Sequence, residues 1–328
     1  PRDEAQAAAT RNEAIGHCDA EMSDIRDAGH VGRAGAEGFG TLYVVATPIG
    51  NLSDLSERMI QALREADWVA AEDTRTTRVL LDRAGSSARM LAAHRHNERA
   101  SAERVLALLA QGQRVALVSD AGTPAVSDPG CRIVSAALDA GAPVVPIPGP
   151  SAAIAMVSAS GLVEGPFHFE GFLPSRPRAR DERLATLARM AWPFVLFEAP
   201  HRIAATLPAI AGQCGPGRQV ALGRELTKKF EEVHRCPAGE AAAWLAADAN
   251  RQRGEYVLVV AGAGEAAEET SAGLDPRRLL AALLEELPPS RAVKVATRAT
   301  GLPHRELYQM ALELSRLPGE AESDDSEH

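Results

Sequence analysis

Three apolar runs in the first half of this chain stop at glycine and proline in the same way, and that recurrence limits what it can fold into. "TLYVVATPIGN" runs from Thr41 through β-branched and aromatic residues to Thr47-Pro48-Ile49-Gly50. "RVALVSDAGTP" repeats the device, with a strand over Val115–Ser119 ahead of Gly122-Thr123-Pro124. "APVVPIPGP" does so again at Pro148-Gly149-Pro150. Proline supplies no ladder donor, and glycine lets the backbone turn tightly or approach a ligand, so each run reads as a strand ending on a tight loop. Between these strands, "LSERMIQALREADW" sets Leu55, Met59, Ala62, Leu63 and Ala66 on one helical face, with Ser53 or Asp54 as a possible cap. "VAAEDTR" follows as a short strand ending in charge, "SAERVLALLAQG" as a helix closed by Gly112, and Gly130–Ala140 as another. Alternating strands and helices predict an α/β domain with a largely parallel sheet and right-handed crossovers.

In such sheets ligands sit beyond the carboxyl ends of the strands, where all three loops fall. Any one loop alone would be read as a plain turn; three in one half-sheet predict a small-molecule site. Its ligand is narrowed by exclusion. The chain has no Gly-x-x-x-x-Gly-Lys-Ser/Thr, no Gly-x-Gly-x-x-Gly between a strand and a helix, and no Gly-x-Ser-x-Gly. Proline at each turn removes backbone donors that a phosphate would need. A ligand with an adenosine, an amino-acid end and no phosphate suits such loops better.

The second half offers a helix over Ala152–Ser160, then "FHFEGF", "PFVLFEA", "QVALGREL", "EEVHRC" and "GEYVLVVAG" as strands. "RDERLATLARM" and "RIAATLPAI" read as helices, and the close spacing of the later strands predicts a mixed sheet. "PRRLLAALLEEL", "SRAVKVATRAT" and "PHRELYQMALEL" make three short helices beyond a Gly/Ala/Glu linker. The expected division is an acidic tail over 1–40, α/β domains over 41–150 and 151–264, a helical domain over 274–317 and a second acidic tail over 318–328.

The net charge of −9 belongs to the tails. Residues 1–40 hold eight acids and four arginines, and the last nine residues hold five acids and no lysine or arginine, so −4 and −5 account for all of it and leave the core neutral. A polyanionic partner is therefore not excluded, and both tails read as disordered. Cys18, Cys131, Cys214 and Cys236 are scattered without a Cys-x-x-Cys pair, and the histidines form no His-Glu-x-x-His, so neither a disulfide framework nor a protein-bound metal is expected. No apolar run is long enough for a membrane span and the first residues have no signal-like apolar segment, which predicts a cytoplasmic protein.

"TPIGNLSD", "AAEDTR", "HRHNE", "LVSDAGTPAVSDPG", "PGPSA", "FEGFLP", "RELTKKFEE" and "GEYVLVVAG" occur in this order. Each is weak alone, but the ordered set, spanning about Thr41 to Gly262, resembles the tetrapyrrole-methylase-like family of S-adenosylmethionine enzymes. More narrowly it resembles the family's ribosomal RNA small-subunit methyltransferase I branch. The resemblance implies two α/β domains, a parallel-sheet one and a mixed-sheet one, with a small C-terminal helical module. It implies S-adenosylmethionine in the cleft between those domains, a homodimer, and 2′-O-methylation of a cytidine ribose (cytidine 1402 in the usual naming) in 16S rRNA of the 30S subunit. By the same matching Thr47, Pro48, Gly122, Thr123, Pro124, Val126, Ser151, Ala152, Glu198 and Leu226 hold the cofactor. Two departures touch its loops. Ala46 stands where the family has Pro or Gly, and Thr123 replaces the acid of a Gly-Asp-Pro loop.

A 2′-hydroxyl is a poor nucleophile, so such a reaction needs in-line positioning and an acceptor for the proton. Glu72, Asp73, His94, His96, Asp120, Glu198 and Lys228 stand at strand ends, with Asp73, His94, Asp120 and Lys228 as the catalytic candidates. Lys228 or Arg224 could stabilise the alkoxide. The plain structural alternatives are a helix cap paired with Arg75 for Asp73, ordinary loop hydrogen bonds for His94, and turn fixing for Asp120. RNA contact is expected from Arg75, Arg176, Arg178, Arg180 and Arg224, since guanidinium forks match phosphate oxygens. The competing view of the 176–183 segment is a solvated helix face with internal pairs. Rival functions are methylation of a tetrapyrrole or of a modified protein histidine, and non-catalytic RNA binding.

Overall fold

Strands β1 (Leu42–Val45), β2 (Trp68–Ala71), β3 (Arg89–Ala92), β4 (Val115–Val118) and β5 (Val144–Ile147) lie parallel in the order β3-β2-β4-β1-β5. Leu42 pairs with Val115 on one side and Val144 on the other, which centres β1 and β4 in the sheet. This computed structural model describes residues 38–94, 97–264 and 276–315. The acidic tails and linker expected from the sequence lie almost wholly outside the described residues, and so does His96. The chain divides into two compact units, the first ending at Ser151 and the second beginning at Ala152.

Period-two alternation gives the first sheet two apolar faces, both covered. Tyr43, Val45, Val69, Ala71 and Val118 pack under the helices Glu57–Glu65 and Thr74–Ala84. Leu42, Ala70, Val115 and Leu117 pack under Glu98–Leu109 and Cys131–Asp139. The first two connections step towards β3 and the last two step back, so a change of direction is a change of face, as right-handed crossovers require. Connections from the adjacent strands β1 and β4 thus leave on opposite faces and open a crevice at their carboxyl ends.

The cap of Glu57–Glu65 is Ser56, whose hydroxyl accepts from the Met59 N–H at 3.2 Å. Ser53 and Asp54, the caps expected from the sequence, instead form a short 3-10 turn whose N-cap is Asn51. Two further elements, Thr74–Ala84 and β3, have no clear sequence signal. The helix is rich in threonine, a weak helix former held by its Asp73 cap, and β3 is a four-residue edge strand without β-branched residues.

In the second unit β6 (His168–Phe172), β7 (Phe194–Glu198), β8 (Gln219–Arg224), β9 (Glu232–Pro237) and β10 (Tyr256–Val260) are ordered β6-β7-β10-β8-β9. β6 and β7 are parallel and every other pairing is antiparallel, a mixed sheet. The helices Pro177–Leu187, Pro200–Cys214 and Ala238–Ala246 cover one face through Leu184, Leu187, Ile203, Leu207 and Leu245. Ala238–Ala246, alanine-rich and short, is not expected from the sequence. The opposite face receives Ala152–Ser160, through Ala153 and Met156, which leaves Phe169 and Phe197 partly buried. Helices Pro276–Glu286, Pro289–Thr300 and His304–Ser315 close on their own core of Leu280, Val293, Ala296 and Leu307. Among the described residues no helix is long and apolar enough to cross a membrane.

Candidate active site

The three Gly/Pro loops of the first unit are bonded to one another. Thr47 N–H donates to the Gly122 carbonyl (2.8 Å) and Gly122 N–H donates back to the Thr47 carbonyl (3.0 Å), an antiparallel bridge between the ends of β1 and β4. The Thr47 hydroxyl adds a bond to the Ser119 carbonyl at 3.1 Å. Thr123 Oγ1 donates to the Pro150 carbonyl at 3.2 Å, which ties in the loop after β5. A Cβ on Gly149 would lie 3.0 Å from both the Ala46 Cβ and the Met59 sulfur, so glycine lets the third loop lie against the first. Thr123 therefore acts as a link between loops.

The loop after β4 is also strained. Gly122 has φ +82, where glycine is at ease, but Ala125 (φ 66) and Ser127 (φ 65) share the left-handed region. That conformation costs a non-glycine residue about 1–2 kcal/mol, and such strain concentrates at ligand clamps. Its far end is held by Glu98, whose Oε1 accepts from the N–H groups of Gly130 (3.0 Å) and Arg132 (3.2 Å).

Asp120 joins this loop to the end of β2. Its Oδ1 accepts from the Asp73 N–H at 3.0 Å and the Thr76 hydroxyl at 2.9 Å. Asp73 caps Thr74–Ala84 by accepting from the Arg75 N–H at 2.8 Å, and its carboxylate receives the Arg75 guanidinium at 2.7 Å. The Arg75 side chain, then its N–H, holds the Asp73 pKa down at about 2. A carboxylate so acidic is a weak proton acceptor at neutral pH. The stabilisation linked to this shift is present above the ordinary aspartate pKa and lost as pH falls through about 2. NMR titration is expected to show Asp73 ionised well below pH 3, and in the Arg75→Ala variant its midpoint is expected to rise towards about 3.9. Thr47, Pro48, Thr76, Ser119 and Asp120 line a recess of about 90 Å³ at these strand ends, and its lining has no lysine or arginine. It has room for a few waters or the end of a ligand. His94 is exposed in the turn after β3, and its carbonyl accepts the Asn97 N–H at 3.0 Å.

In the second unit the remaining candidates gather at one end of the mixed sheet, where β6, β7 and β8 finish. Glu198 is 2% exposed. Its carboxylate accepts from the Ala199 N–H (2.9 Å) and the Thr206 hydroxyl (2.6 Å) and pairs with Arg202 at 3.1 Å. Arg202 reaches on to the Leu173 and Pro174 carbonyls at 2.8 and 3.3 Å. Arg224 is buried, and its guanidinium donates to the carbonyls of Arg253, Phe230 and Asn250. Lys228 Nζ bridges Glu225 (2.9 Å) and Glu255 (2.8 Å). Burial alone would lower its pKa, but the bonds to Glu255 and Glu225 outweigh it and raise the value, so the ammonium stays charged. Glu225 (φ 50) and Thr227 (φ 66) make this loop strained as well. Leu226 and Ala152 are partly buried against the apolar cluster of the open face.

Of the arginines, Arg75 and Arg178 are exposed and paired with Asp73 and Glu182. Arg180 is mostly buried beside Asp181, and Arg176 is exposed at the start of Pro177–Leu187, making no ion pair among the described residues. Arg224, walled in by carbonyls, supports the loop that carries Lys228. Ser119, Thr76, Arg202 and Thr206 carry no signal in the sequence, because what they do depends on partners brought close by the sheets.

Residues 41–242 match the family of Tetrapyrrole (Corrin/Porphyrin) Methylases, and residues 270–315 match the RsmI C-terminal HTH domain. A relative from Escherichia coli O157:H7 named "Ribosomal RNA small subunit methyltransferase I" is 44% identical over 84% of this chain and 95% of its own length. One of the same name from Xylella fastidiosa (strain Temecula1) is 47% identical over 82% of this chain and 98% of its own. Among solved structures, the methyltransferase CobJ superposes with a TM-score of 0.52 at 20% identity, covering 68% of this chain and 95% of that one, a likeness of fold. The chain belongs to the tetrapyrrole (corrin/porphyrin) methylase family, and within it to the ribosomal RNA small subunit methyltransferase I group.

Proposed function

We propose that this protein transfers a methyl group from S-adenosylmethionine to the 2′-hydroxyl of a cytidine ribose, cytidine 1402, in 16S rRNA. The observation that carries this reading is the stitched set of loops at the ends of β1, β4 and β5, in a chain whose relatives named for small-subunit rRNA match it over more than four-fifths of its length. The residues fit such a donor. The recess offers hydroxyls and the Asp120 carboxylate with no cationic side chain, which suits a ligand bearing an ammonium and a sulfonium and does not suit a phosphate.

In this reading Thr47, Pro48, Gly122, Thr123, Pro124 and Val126 hold the donor, with Ser151 adding contact surface. When bound, S-adenosylmethionine supplies an activated methyl group on sulfur. The chain's part is positioning, which contributes on the order of 7–11 kcal/mol in well-oriented reactions. Asp120, held by the Asp73 N–H and the Thr76 hydroxyl, takes the hydroxyl proton. Asp73 caps the helix that carries Thr76, and Glu198 shapes the turn after β6 through Arg202. The protein acts as a homodimer in the cytoplasm, where its 30S substrate is. Arg176 and Arg178 reach rRNA phosphates.

Methyl transfer from labelled cofactor to 30S subunits lacking the modification, followed by nucleoside identification, tests the reading. Label in 2′-O-methylcytidine supports it; label elsewhere, or none with cofactor bound, overturns it. Arg176→Glu with Arg178→Glu is expected to weaken subunit binding about tenfold or more at near-physiological salt and leave cofactor affinity unchanged. Equal binding would remove both arginines from the interface.

A further inference from the structure

The alternation of β6 should put Phe169 and Phe172 on opposite faces of the sheet, since they are three residues apart. They share one face. The pairing with β7 shifts between Phe169 and Gly171, leaving Glu170 as the extra residue of a bulge. The bulge is pinned from outside: Arg183 grips Glu170 with Nε at 2.7 Å and Nη2 at 2.5 Å, and His168 Nε2 lies 2.8 Å from the same carboxylate. Phe172 is thereby turned to the face of Phe197, edge-on at 5.6 Å, with Phe169 edge-on to Phe197 at 5.1 Å.

The result is a supported aromatic ring left 55% exposed. The turn behind it is fixed, because Leu173 is buried in the core and the Leu173 and Pro174 carbonyls are held by Arg202. Beyond that turn come the exposed Arg176 and Arg178. A rigid exposed ring followed within six residues by two cations is the combination that binds single-stranded nucleic acid, with bases stacking on the ring and phosphates meeting guanidinium groups.

We propose that Phe172 is a stacking platform for an unpaired base of the RNA substrate, built by the Glu170 bulge. The inference rests on the rRNA reading above. A base inside a duplex has its π-faces covered by neighbouring pairs while an unstacked one has a face free, so the platform selects for a melted or looped segment and adds to phosphate contact without adding to its salt dependence.

The test uses full-length protein with two probes, a fluorescein-labelled octacytidylate RNA and a labelled RNA duplex, across a salt series. Phe172→Ala is expected to weaken octacytidylate binding about tenfold with the salt slope unchanged, to leave duplex binding unchanged, and to leave cofactor affinity unchanged. Phe172→Trp is expected to bind at least as tightly as the native chain. Native-level octacytidylate binding by Phe172→Ala overturns the platform, as does an equal loss on both probes. A change in oligomeric state by light scattering also overturns it, assigning the ring to a contact between copies. Failure of the native chain to bind octacytidylate, duplex or 30S subunits defeats the rRNA reading itself, and the platform with it.

Discussion

Gly122→Trp is expected to abolish measurable binding of S-adenosylmethionine, a loss of at least about a hundredfold, while the chain stays folded. Gly122 sits where β1 and β4 are bridged, at φ +82, and an added Cβ would lie 3.4 Å from Ile49 Cγ2 and 3.8 Å from the Pro150 carbonyl oxygen. A first side-chain atom therefore fits, at van der Waals distance, and the backbone penalty is about 1–2 kcal/mol. For a unit of this size that lowers the melting temperature by a few degrees. An indole continuing from that Cβ occupies the ground between three loops, where the proposed site for the donor lies. Gly122→Ala separates the two effects, carrying the backbone penalty with little of the bulk. Calorimetry is expected to show weakened binding for alanine and none for tryptophan; tryptophan binding at native affinity would place the cofactor elsewhere.

Arg202→Ala is expected to carry the largest stability cost of these substitutions, about 3–5 kcal/mol. Glu198 is buried, and in the native chain it has one cation and two hydrogen-bond donors. Removing the guanidinium leaves a buried carboxylate with the two donors alone. It also frees the carbonyls of Leu173 and Pro174. Thr206→Val removes one donor and keeps the cation, so its cost is expected to be smaller, about 1–3 kcal/mol. Urea unfolding ranks the two, with Arg202→Ala shifted by about 1 M or more in midpoint. A midpoint equal to that of Thr206→Val would mean that the cation adds nothing to the donors.

Both variants concern features of different legibility. The glycine at 122 could be read from the chain, because a loop of glycine and proline ends the apolar run there and loops of the same kind end two further runs. The same local rules give the parallel sheet and its crossovers, the mixed character of the second sheet, and the three C-terminal helices. They rest on period, turn chemistry and chain handedness, which act over a few residues and need no partner from afar. Strand β3 and the helices Thr74–Ala84 and Ala238–Ala246 escape such rules, since their short or weakly patterned sequences are held by tertiary packing.

The site divides along the same line. Which residues stand at strand ends was legible, as was the helix cap paired with Arg75 for Asp73; the partners of Asp120, Glu198 and Arg224 were not. Asp73 and Asp120 look alike in the sequence, yet one is locked onto Arg75 with a pKa of about 2 and the other accepts from Asp73 and Thr76. Glu198 and Arg224, exposed charges by residue type, are buried and spent on the backbone and side chains around them. Phe172 is turned to its face by a one-residue bulge that no periodicity announces. Asp120 meets Asp73 and Thr76, and Arg224 meets Asn250 and Arg253, across dozens of residues of chain, and only the formation of each sheet brings those groups within hydrogen-bonding distance.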